Sequence, residues 1–204
     1  MKNSHPKSTT QTKAFPSDME PMLATPIGEP FNKPGWLYEI KWDGYRILAF
    51  KYKNKVTLRS RSGLDYTDRY PAVVNSLKKI MSDFVIDGEV VAFDENGKIS
   101  FDAVQKANPD APLTYYVFDL LWVNGYNVMS LTLIDRKRIL KSMIRTDGVT
   151  KFSEHFKDGI ALYEQANELA LAGIIAKKED STYQPGKHGP DWLEIPTANA
   201  ATHK

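Results

Sequence analysis

The alternation of apolar and polar positions divides most of the chain into strands. Short apolar runs and every-second-residue patterns recur between turn residues, and Val, Ile, Tyr, Phe and Trp dominate them. Such segments are typical of half-buried or fully buried strands. The pattern predicts strands at residues 36–42, 45–53, 56–59, 84–93, 113–122, 173–178 and 192–195.

Apolar residues spaced three and four apart predict helices at residues 70–81, 133–144 and 158–171. Pro71 suits a first helical turn, and Ser100 and Asp158 are suitable N-caps, Ser100 for one further short helix. Helices and strands mix without a regular β-α-β-α rhythm. We therefore expect an α+β fold with mainly antiparallel sheets flanked by helices.

The ends of the chain differ in composition from its middle. Residues 1–14 are polar and rich in Ser, Thr and Lys, which predicts a disordered tail. Residues 15–34 carry five prolines and should run extended over the surface of the domain. The pattern predicts one domain over residues 15–196, followed by a short tail at 197–204.

Composition excludes several classes of protein. Cysteine is absent, so disulfides and thiolate metal sites are excluded, and the four histidines show no metal-ligand spacing. No apolar run approaches the roughly 20 residues that span a bilayer, so no membrane association and a cytoplasmic location are expected. A net charge of +2 is too small to indicate nucleic-acid binding without local basic clusters.

One stretch concentrates opposite charges beside apolar strand residues. Glu39, Lys41, Asp43 and Arg46 lie within eight positions, and Asp43-Gly44 is a hairpin signal between two predicted strands. Some of these charges must face inward and be compensated there. A lysine held in such a place is suited to act as a nucleophile. The alternative is a surface hairpin whose charges are solvated.

Four later segments admit both a functional and a structural interpretation. The arginines within residues 59–63 are suited to contact phosphates, or they belong to a solvated turn. The lysines that end the predicted strand 173–178 are suited to bind phosphates, or their side chains simply reach solvent. The aromatic residues at 115–118 stack on a base or fill the core. Asp87 and Glu89 are costly to bury unless a cation, a metal or a ribose partners them.

Taken together and in this order, these segments resemble the nucleotidyltransferase (adenylation) domain of ATP-dependent DNA ligases, and residues 38–46 resemble the bacterial end-joining type in particular. The pattern Glu39-x-Lys41-x-Asp43-Gly44-x-Arg46 is similar to the family's signature, and the later segments fall where its other motifs would be. The resemblance covers about residues 15–195. An RNA ligase or an mRNA-capping guanylyltransferase, which share the first motif, is the related alternative.

The resemblance implies an ATP-grasp-like fold and a set of roles in DNA repair. Lys41 would attack the α-phosphate of ATP and carry AMP, which then passes to a 5′-phosphate at a nick in double-stranded DNA. Glu39 would recognise adenine, Phe118 would stack on it, and Glu89 would contact ribose or Mg²⁺. The implied nucleotide-binding residues are Glu39, Ile40, Arg46, Arg61, Glu89, Phe118, Ile175 and Lys177.

The chain departs from the family pattern at two positions. Ala172 stands where the fourth motif has a glutamate, so one metal-binding carboxylate is missing. Glu194 stands where the fifth motif has a lysine, and reversing a charge near the α-phosphate costs several kcal/mol. The alternative to an active ligase domain is therefore a degenerate, non-catalytic homologue that binds nucleotide or DNA.

The resemblance also implies partners. The chain is expected to be a monomer that works with an OB-fold domain or an end-joining repair partner, and no segment of this sequence fits an OB fold. Basic residues that could contact DNA phosphates, or form an ordinary solvated surface, are Lys51, Lys53, Lys55, Lys78, Lys79, Arg136, Lys137, Arg138 and Lys141.

Overall fold

The computed structural model of this chain describes residues 10–11, 14–106, 112–144 and 147–202. Its strands match the predicted ones closely and include four shorter ones, β1, β2, β8 and β9. In chain order the strands are β1 (Thr10–Gln11), β2 (Leu23–Pro26), β3 (Trp36–Ile40), β4 (Tyr45–Tyr52), β5 (Lys55–Ser60), β6 (Phe84–Ala92), β7 (Leu113–Val123), β8 (Tyr126–Asn127), β9 (Thr150–Phe152), β10 (Gly173–Lys178) and β11 (His188–Pro196).

The predicted helices are also confirmed. They are α1 (Pro71–Lys78), α2 (Phe101–Lys106), α3 (Leu133–Met143) and α4 (Gly159–Glu168), and a 3₁₀ helix covers Ala198–Thr202 in the predicted C-terminal tail. Pro71 opens α1 as expected. The Asp158 side chain accepts a hydrogen bond from the Ala161 N–H at 3.0 Å, and the Ser100 hydroxyl accepts one from Ala103 at 3.1 Å. Both side chains therefore act as the predicted N-caps.

The strands form two sheets. The larger sheet has the order β1-β8-β7-β6-β4-β5, with β9 beside β7, and the smaller sheet has the order β2-β11-β10-β3. Pairing is antiparallel except between β7 and β9 and between β11 and β2. The expected α+β class with mainly antiparallel sheets is confirmed.

Residue alternation along the strands separates the core into layers. In β4, Ile47 and Ala49 pack in a cluster with α1, α2 and α3, whereas Leu48 and Phe50 face a second cluster shared with the smaller sheet. A third cluster buries the other face of the smaller sheet, including Tyr38, against α4. Successive side chains of a strand point to opposite faces, so every second residue of the central strands faces the space between the sheets.

The predicted hairpin at Asp43-Gly44 is wrong. β3 pairs with β10 in the smaller sheet, whereas β4 pairs with β5 and β6 in the larger one, so the segment 41–44 crosses between sheets. A Cβ added to Gly44 would lie 2.0 Å from the Val90 carbonyl oxygen. The glycine therefore permits close approach to β6 rather than a tight turn.

Pairing between distant segments explains the other differences. β11 begins at His188 rather than at 192, because His188 pairs with Leu23 in β2, far away in the chain. The turn between β4 and β5 lies one residue earlier than predicted, since Tyr52 pairs with Lys55. The tail predicted to be disordered lies mostly outside the described residues, but its residues 10–11 pair with β8.

Within the described residues, no helix combines the length and apolar character that a membrane crossing needs.

Candidate active site

A cavity of about 420 Å³ opens between the two sheets, where the chain crosses from β3 to β4. Its volume lies in the range of small-molecule sites. Every site residue predicted from the sequence lines this cavity, although their individual roles stay predictions: Glu39, Ile40, Lys41, Arg46, Arg61, Glu89, Phe118, Ile175 and Lys177.

The strand register of the smaller sheet places a row of side chains along one wall of the cavity. Ile175 in the middle strand β10 lies opposite Glu39 on one side and opposite Glu194 on the other. The alternating residues Ile174 and Ala176 point away and pack against α4. One row of side chains across three strands therefore faces the cavity, and the sequence places a carboxylate at each end of that row.

Lys41 lies directly after β3, and neighbouring backbone fixes its position. Its N–H donates to the Gly173 carbonyl at 2.9 Å, and its Nζ lies 3.3 Å from Glu194 Oε1. Both side chains of this ion pair are partly exposed, at 26% and 30%. A smaller cavity of about 290 Å³, lined by Lys41, Asp43 and Ala172 among others, adjoins the other side of the lysine. Both departures from the family pattern thus lie beside the proposed nucleophile.

Glu39 is buried between two lysines. Lys137 Nζ donates to Glu39 Oε1 at 2.9 Å, and Lys177 Nζ donates to Glu39 Oε2 at 3.1 Å. All three side chains are almost fully buried. Charges at such depth persist when they are paired and hydrogen-bonded, so this trio forms a fixed polar end to the cavity.

Lys177 lies in an apolar environment despite its charge. Its Nζ is 4.3 Å from the centre of the Phe118 ring and 4.1 Å from that of Trp192. Burial lowers the pKa of Lys177 from 10.5 to about 8; Glu39 opposes this change, and the like charge of Lys137 adds to it. Lys177 is therefore a cation whose charge is lost just above neutral pH.

Arg46 is held by a bidentate ion pair that the sequence did not reveal. Its Nε and Nη2 donate to the two carboxylate oxygens of Asp87 at 2.6 and 2.7 Å, and Nη2 also donates to the Met22 carbonyl. The Tyr183 hydroxyl donates to Asp87 at 2.6 Å. Asp87 is therefore compensated by a cation and a hydroxyl, as its burial requires, and the Arg46 guanidinium also lies 4.6 Å from the centre of the Phe118 ring.

Glu89 is the carboxylate in the cavity that lacks such compensation. Among the described residues, none forms a hydrogen bond or an ion pair with it. Burial raises the pKa of Glu89 to about 8, against the opposing effect of Arg46. Within the described part of the chain no group of three or more ligating side chains could hold a metal by itself. Glu89 instead fits a Mg²⁺ ion bound mainly through phosphate oxygens and water.

The remaining predicted residues lie at the edges. Arg61 follows β5 and is exposed at the mouth, where Ser60, Ser62 and Glu89 line an adjoining pocket. Phe118 is 7% exposed and forms part of the cavity wall. The arrangement provides apolar surface for a base, a fixed carboxylate at the polar end of the cavity, and two cations nearer to solvent, Lys41 and Arg61, for phosphates.

Sequence reasoning missed the contact of Lys137 with Glu39 and placed Lys137 on the surface, either facing DNA phosphates or simply solvated. That placement is wrong for Lys51, Arg136 and Lys137, which are all buried and engaged inside the protein. Arg136 makes a bidentate pair with Asp119 at 2.7 and 2.9 Å. A signal was present, because residues 136 and 137 lie three and four positions after Leu133, on the buried stripe of α3.

Comparison with known proteins agrees with this geometry. A sequence profile described as "ATP dependent DNA ligase domain" matches residues 21–195. The multifunctional non-homologous end joining protein LigD of Mycolicibacterium smegmatis is 33% identical over 190 residues, which cover 90% of this chain and 24% of that protein. The SPbeta prophage-derived DNA ligase-like protein LigB of Bacillus subtilis is 30% identical over 87% of this chain and 67% of its own length.

Solved structures show the same fold. The ligase domain of Mycobacterium tuberculosis LigD superimposes with a TM-score of 0.79 at 33% identity, over 87% of this chain and 59% of that one. Mycobacterial DNA ligase D complexed with ATP and MES gives a TM-score of 0.77 at 33% identity, over 87% of this chain and 60% of that one. This chain thus spans about a quarter of LigD and three-fifths of its solved ligase domain. With a family profile over most of its length, the chain belongs to the ATP-dependent DNA ligase domain family.

Proposed function

We propose that this chain is an adenylyltransferase domain that takes AMP from ATP onto Lys41, as the first step of sealing nicks in DNA. The observation that supports this most strongly is that a partly exposed lysine, Lys41, lines a cavity that also contains apolar side chains and further cations. Membership of the ligase family and likeness to a ligase complexed with ATP support the same conclusion.

The proposed step is a displacement at phosphorus. The unprotonated Lys41 Nζ attacks the α-phosphorus of ATP, a nitrogen–phosphorus bond forms, and the bond to the β-phosphate oxygen breaks. The amine proton goes to solvent, and pyrophosphate leaves with the bonding electron pair. Because Lys41 is anchored through its own backbone N–H, the residue enters this reaction from a fixed position.

The other cavity residues bind and orient the nucleotide in this proposal. Glu39 accepts a hydrogen bond from the adenine amino group, and Ile175 and Phe118 contact the base. Arg61 and Lys177 balance phosphate charge, while Arg46 fixes the wall through Asp87. Mg²⁺, held beside Glu89, would offset the negative charge of the departing pyrophosphate.

Intact mass spectrometry tests this proposal. After incubation with ATP and Mg²⁺, the wild type should gain the mass of one AMP, whereas Lys41→Ala should gain none and keep its fold by circular dichroism. Lys157→Ala, which removes an exposed lysine outside the cavity, is the matched control and should still gain AMP. Labelling that persists in Lys41→Ala would rule out the assigned nucleophile.

A second candidate function is nucleotide or DNA binding without transfer, and the contact between Lys41 and Glu194 favours it. That carboxylate lies 3.3 Å from the attacking nitrogen, where it repels an incoming phosphate. Ala172 leaves open space where the family has a carboxylate. This candidate predicts ATP binding by calorimetry with no added mass in the experiment above.

Restoring the family residues separates the two candidates. The double variant Ala172→Glu/Glu194→Lys should gain AMP even if the wild type does not, because it returns a metal-binding carboxylate and a phosphate-binding cation. A folded double variant that binds ATP and still gains no AMP would show that these two residues are not the cause of inactivity.

We further propose nicked double-stranded DNA as the substrate that receives AMP. Of the basic residues predicted to contact DNA, Lys53, Lys55 and Lys78 remain exposed and line one shallow concavity. Fluorescence anisotropy with nicked duplex across a salt series should show weak, salt-dependent binding that a triple alanine variant reduces. A monomeric state, an OB-fold domain and an end-joining partner stay predictions.

A further inference from the structure

Lys137 reaches the polar end of the cavity from outside the sheets. It lies in α3, the helix that packs behind β7, and its side chain is 1% exposed. Its ammonium donates to Glu39 Oε1 at 2.9 Å, to the Phe118 carbonyl at 3.3 Å and to the Ser153 carbonyl at 3.3 Å. All three ammonium protons therefore have acceptors, and these hydrogen bonds hold the ammonium group in place.

This contact fixes Glu39 from the side opposite to Lys177. Each carboxylate oxygen of Glu39 accepts from a different lysine, so the plane of the carboxylate is set by two independent elements, α3 and β10. Lys177 alone would leave that plane free to rotate. A carboxylate anchored at both oxygens still has lone pairs available for a ligand, since each oxygen has two.

We propose that Lys137 is a positioning residue for the base pocket and sets the selectivity of this site for an adenine over a guanine nucleotide. The inference rests on the proposed function, because it assigns to Glu39 the role of contacting the base. Lys137 itself does not line the cavity and acts through Glu39.

The selectivity follows from hydrogen-bonding chemistry. Adenine carries an amino donor at its 6 position, whereas guanine carries a carbonyl acceptor there. An ionised carboxylate is an acceptor only, so it pairs with the first and repels the second. Two lysines hold the two oxygens of Glu39 in fixed positions. Without Lys137, the carboxylate is free to rotate, and its acceptor lone pairs no longer point in the direction that selects the adenine amino group.

Nucleotide binding by the full 204-residue chain tests this inference. ATP and GTP affinities are measured by calorimetry for the wild type, Lys137→Gln, Lys137→Arg and the control Lys141→Gln. Lys141 lies one turn further along α3 and pairs with exposed Glu154. We expect Lys137→Gln to reduce the ATP-to-GTP affinity ratio about tenfold or more, which is the scale of one charged hydrogen bond. Lys137→Arg should largely retain the ratio, and Lys141→Gln should leave it unchanged.

A double-mutant cycle distinguishes an effect of Lys137 through Glu39 from a general structural effect of replacing Lys137. If Lys137 acts through Glu39, then Glu39→Gln/Lys137→Gln should show the same affinity ratio as Glu39→Gln alone, and it leaves no uncompensated carboxylate to prevent folding. Additive losses, or a folded Lys137→Gln protein with the wild-type ratio, would overturn the inference. A wild type that binds neither nucleotide would overturn the proposed function as well, whereas selective ATP binding unaffected by Lys137 would overturn the inference alone.

Discussion

The charge of Glu194 acts at the atom where the proposed reaction takes place. Its Oε1 lies 3.3 Å from Lys41 Nζ, so an incoming α-phosphate would approach a carboxylate. We predict that Glu194→Gln increases the rate of AMP addition about tenfold, because partial exposure of the pair screens part of the repulsion. Single-turnover labelling with ATP under matched conditions measures this rate.

A second carboxylate-to-amide substitution, away from Lys41, controls for the change in net charge. Glu154→Gln removes an exposed carboxylate that pairs with Lys141 and does not line the cavity, and it should leave the rate unchanged. A rate for Glu194→Gln equal to or below that of the wild type would show that Glu194 assists the reaction rather than opposing it.

Lys177 gives the site a pH dependence of known sign. Because the pKa of Lys177 is lowered to about 8, chiefly by burial, its positive charge is present at pH 7 and lost above pH 8. We predict that ATP affinity falls above pH 8 by up to about tenfold per pH unit, since the cavity loses the positive charge that the proposed function assigns to the phosphates. Calorimetry at pH 7, 8 and 9 measures it, and Lys177→Met should bind more weakly at pH 7 and vary less with pH.

The lowered pKa of Lys177 affects the free energy of unfolding in the opposite direction from ATP affinity: it makes the folded protein more stable as the pH rises. Between pH 8 and 10.5 the unfolded chain holds the Lys177 proton and the folded protein does not, so this residue contributes stability that increases with pH across that window. Weaker ATP binding at pH 9 would therefore not arise from loss of the fold through Lys177. Constant ATP affinity through pH 9 would contradict the assignment of this lysine to the phosphates.

Gly173, the first residue of β10, is hydrogen-bonded through its backbone to Lys41. Its carbonyl accepts from the Lys41 N–H, its φ is +143°, and an added Cβ would lie 2.3 Å from the Ile195 carbonyl oxygen. We predict that Gly173→Ala lowers the free energy of unfolding by about 2 kcal/mol or more, because the backbone must shift or remain strained. Urea denaturation measures the change.

Gly28 provides the matched control. It is exposed, and no atom lies within 4 Å of the position that an added Cβ would take, so Gly28→Ala should stay within about 0.5 kcal/mol of the wild type. If Gly173→Ala were equally stable, the β3–β10 connection would be more adaptable than its geometry indicates, and the fixed position of Lys41 would be in question.

Local elements were largely predictable from the sequence, and their partners were not. Periodicity and caps located the four α-helices of the described residues and the long strands, since these signals are local, but not the 3₁₀ helix in the predicted C-terminal tail. The pairing of β3 with β10 depends on residues more than a hundred positions apart, so Asp43-Gly44 was mistaken for a hairpin. Short strands such as β2 and β9 owe their existence to a neighbour rather than to their own sequence.

Arg136 connects α3 to the larger sheet and to the loop between β10 and β11. It pairs with Asp119 of β7 and donates to the carbonyls of Leu131 and Ser181, with no exposed side-chain surface. We predict that Arg136→Met lowers the free energy of unfolding by about 3–5 kcal/mol, because Asp119 is left buried without its cation. Thermal and urea unfolding measure this loss.

Arg138 is the comparison within the same helix. Its side chain is 73% exposed and pairs with Asp135, so Arg138→Met should change the free energy of unfolding by less than about 1 kcal/mol. Equal effects of the two substitutions would show that the buried pair with Asp119 does not hold the layers together.

The residues that line the candidate site were predictable from the sequence, but the hydrogen bonds and ion pairs among them were not. The resemblance placed nine residues around one cavity because motifs retain their order along the chain. The contacts of Lys137 with Glu39 and of Tyr183 with Asp87 join segments about a hundred positions apart. No local pattern encodes such pairs, and a lysine on a helix reads as a surface residue until its neighbours are known.

The proposed function is tested most directly by locating AMP on the protein. After incubation with ATP and Mg²⁺, the chain is digested and the peptides are sequenced by tandem mass spectrometry. We expect AMP on the side chain of Lys41 and its removal by added pyrophosphate, since the proposed step is reversible. AMP on another residue, or tight ATP binding with no covalent AMP in either the wild type or the restored double variant, would overturn the proposed function.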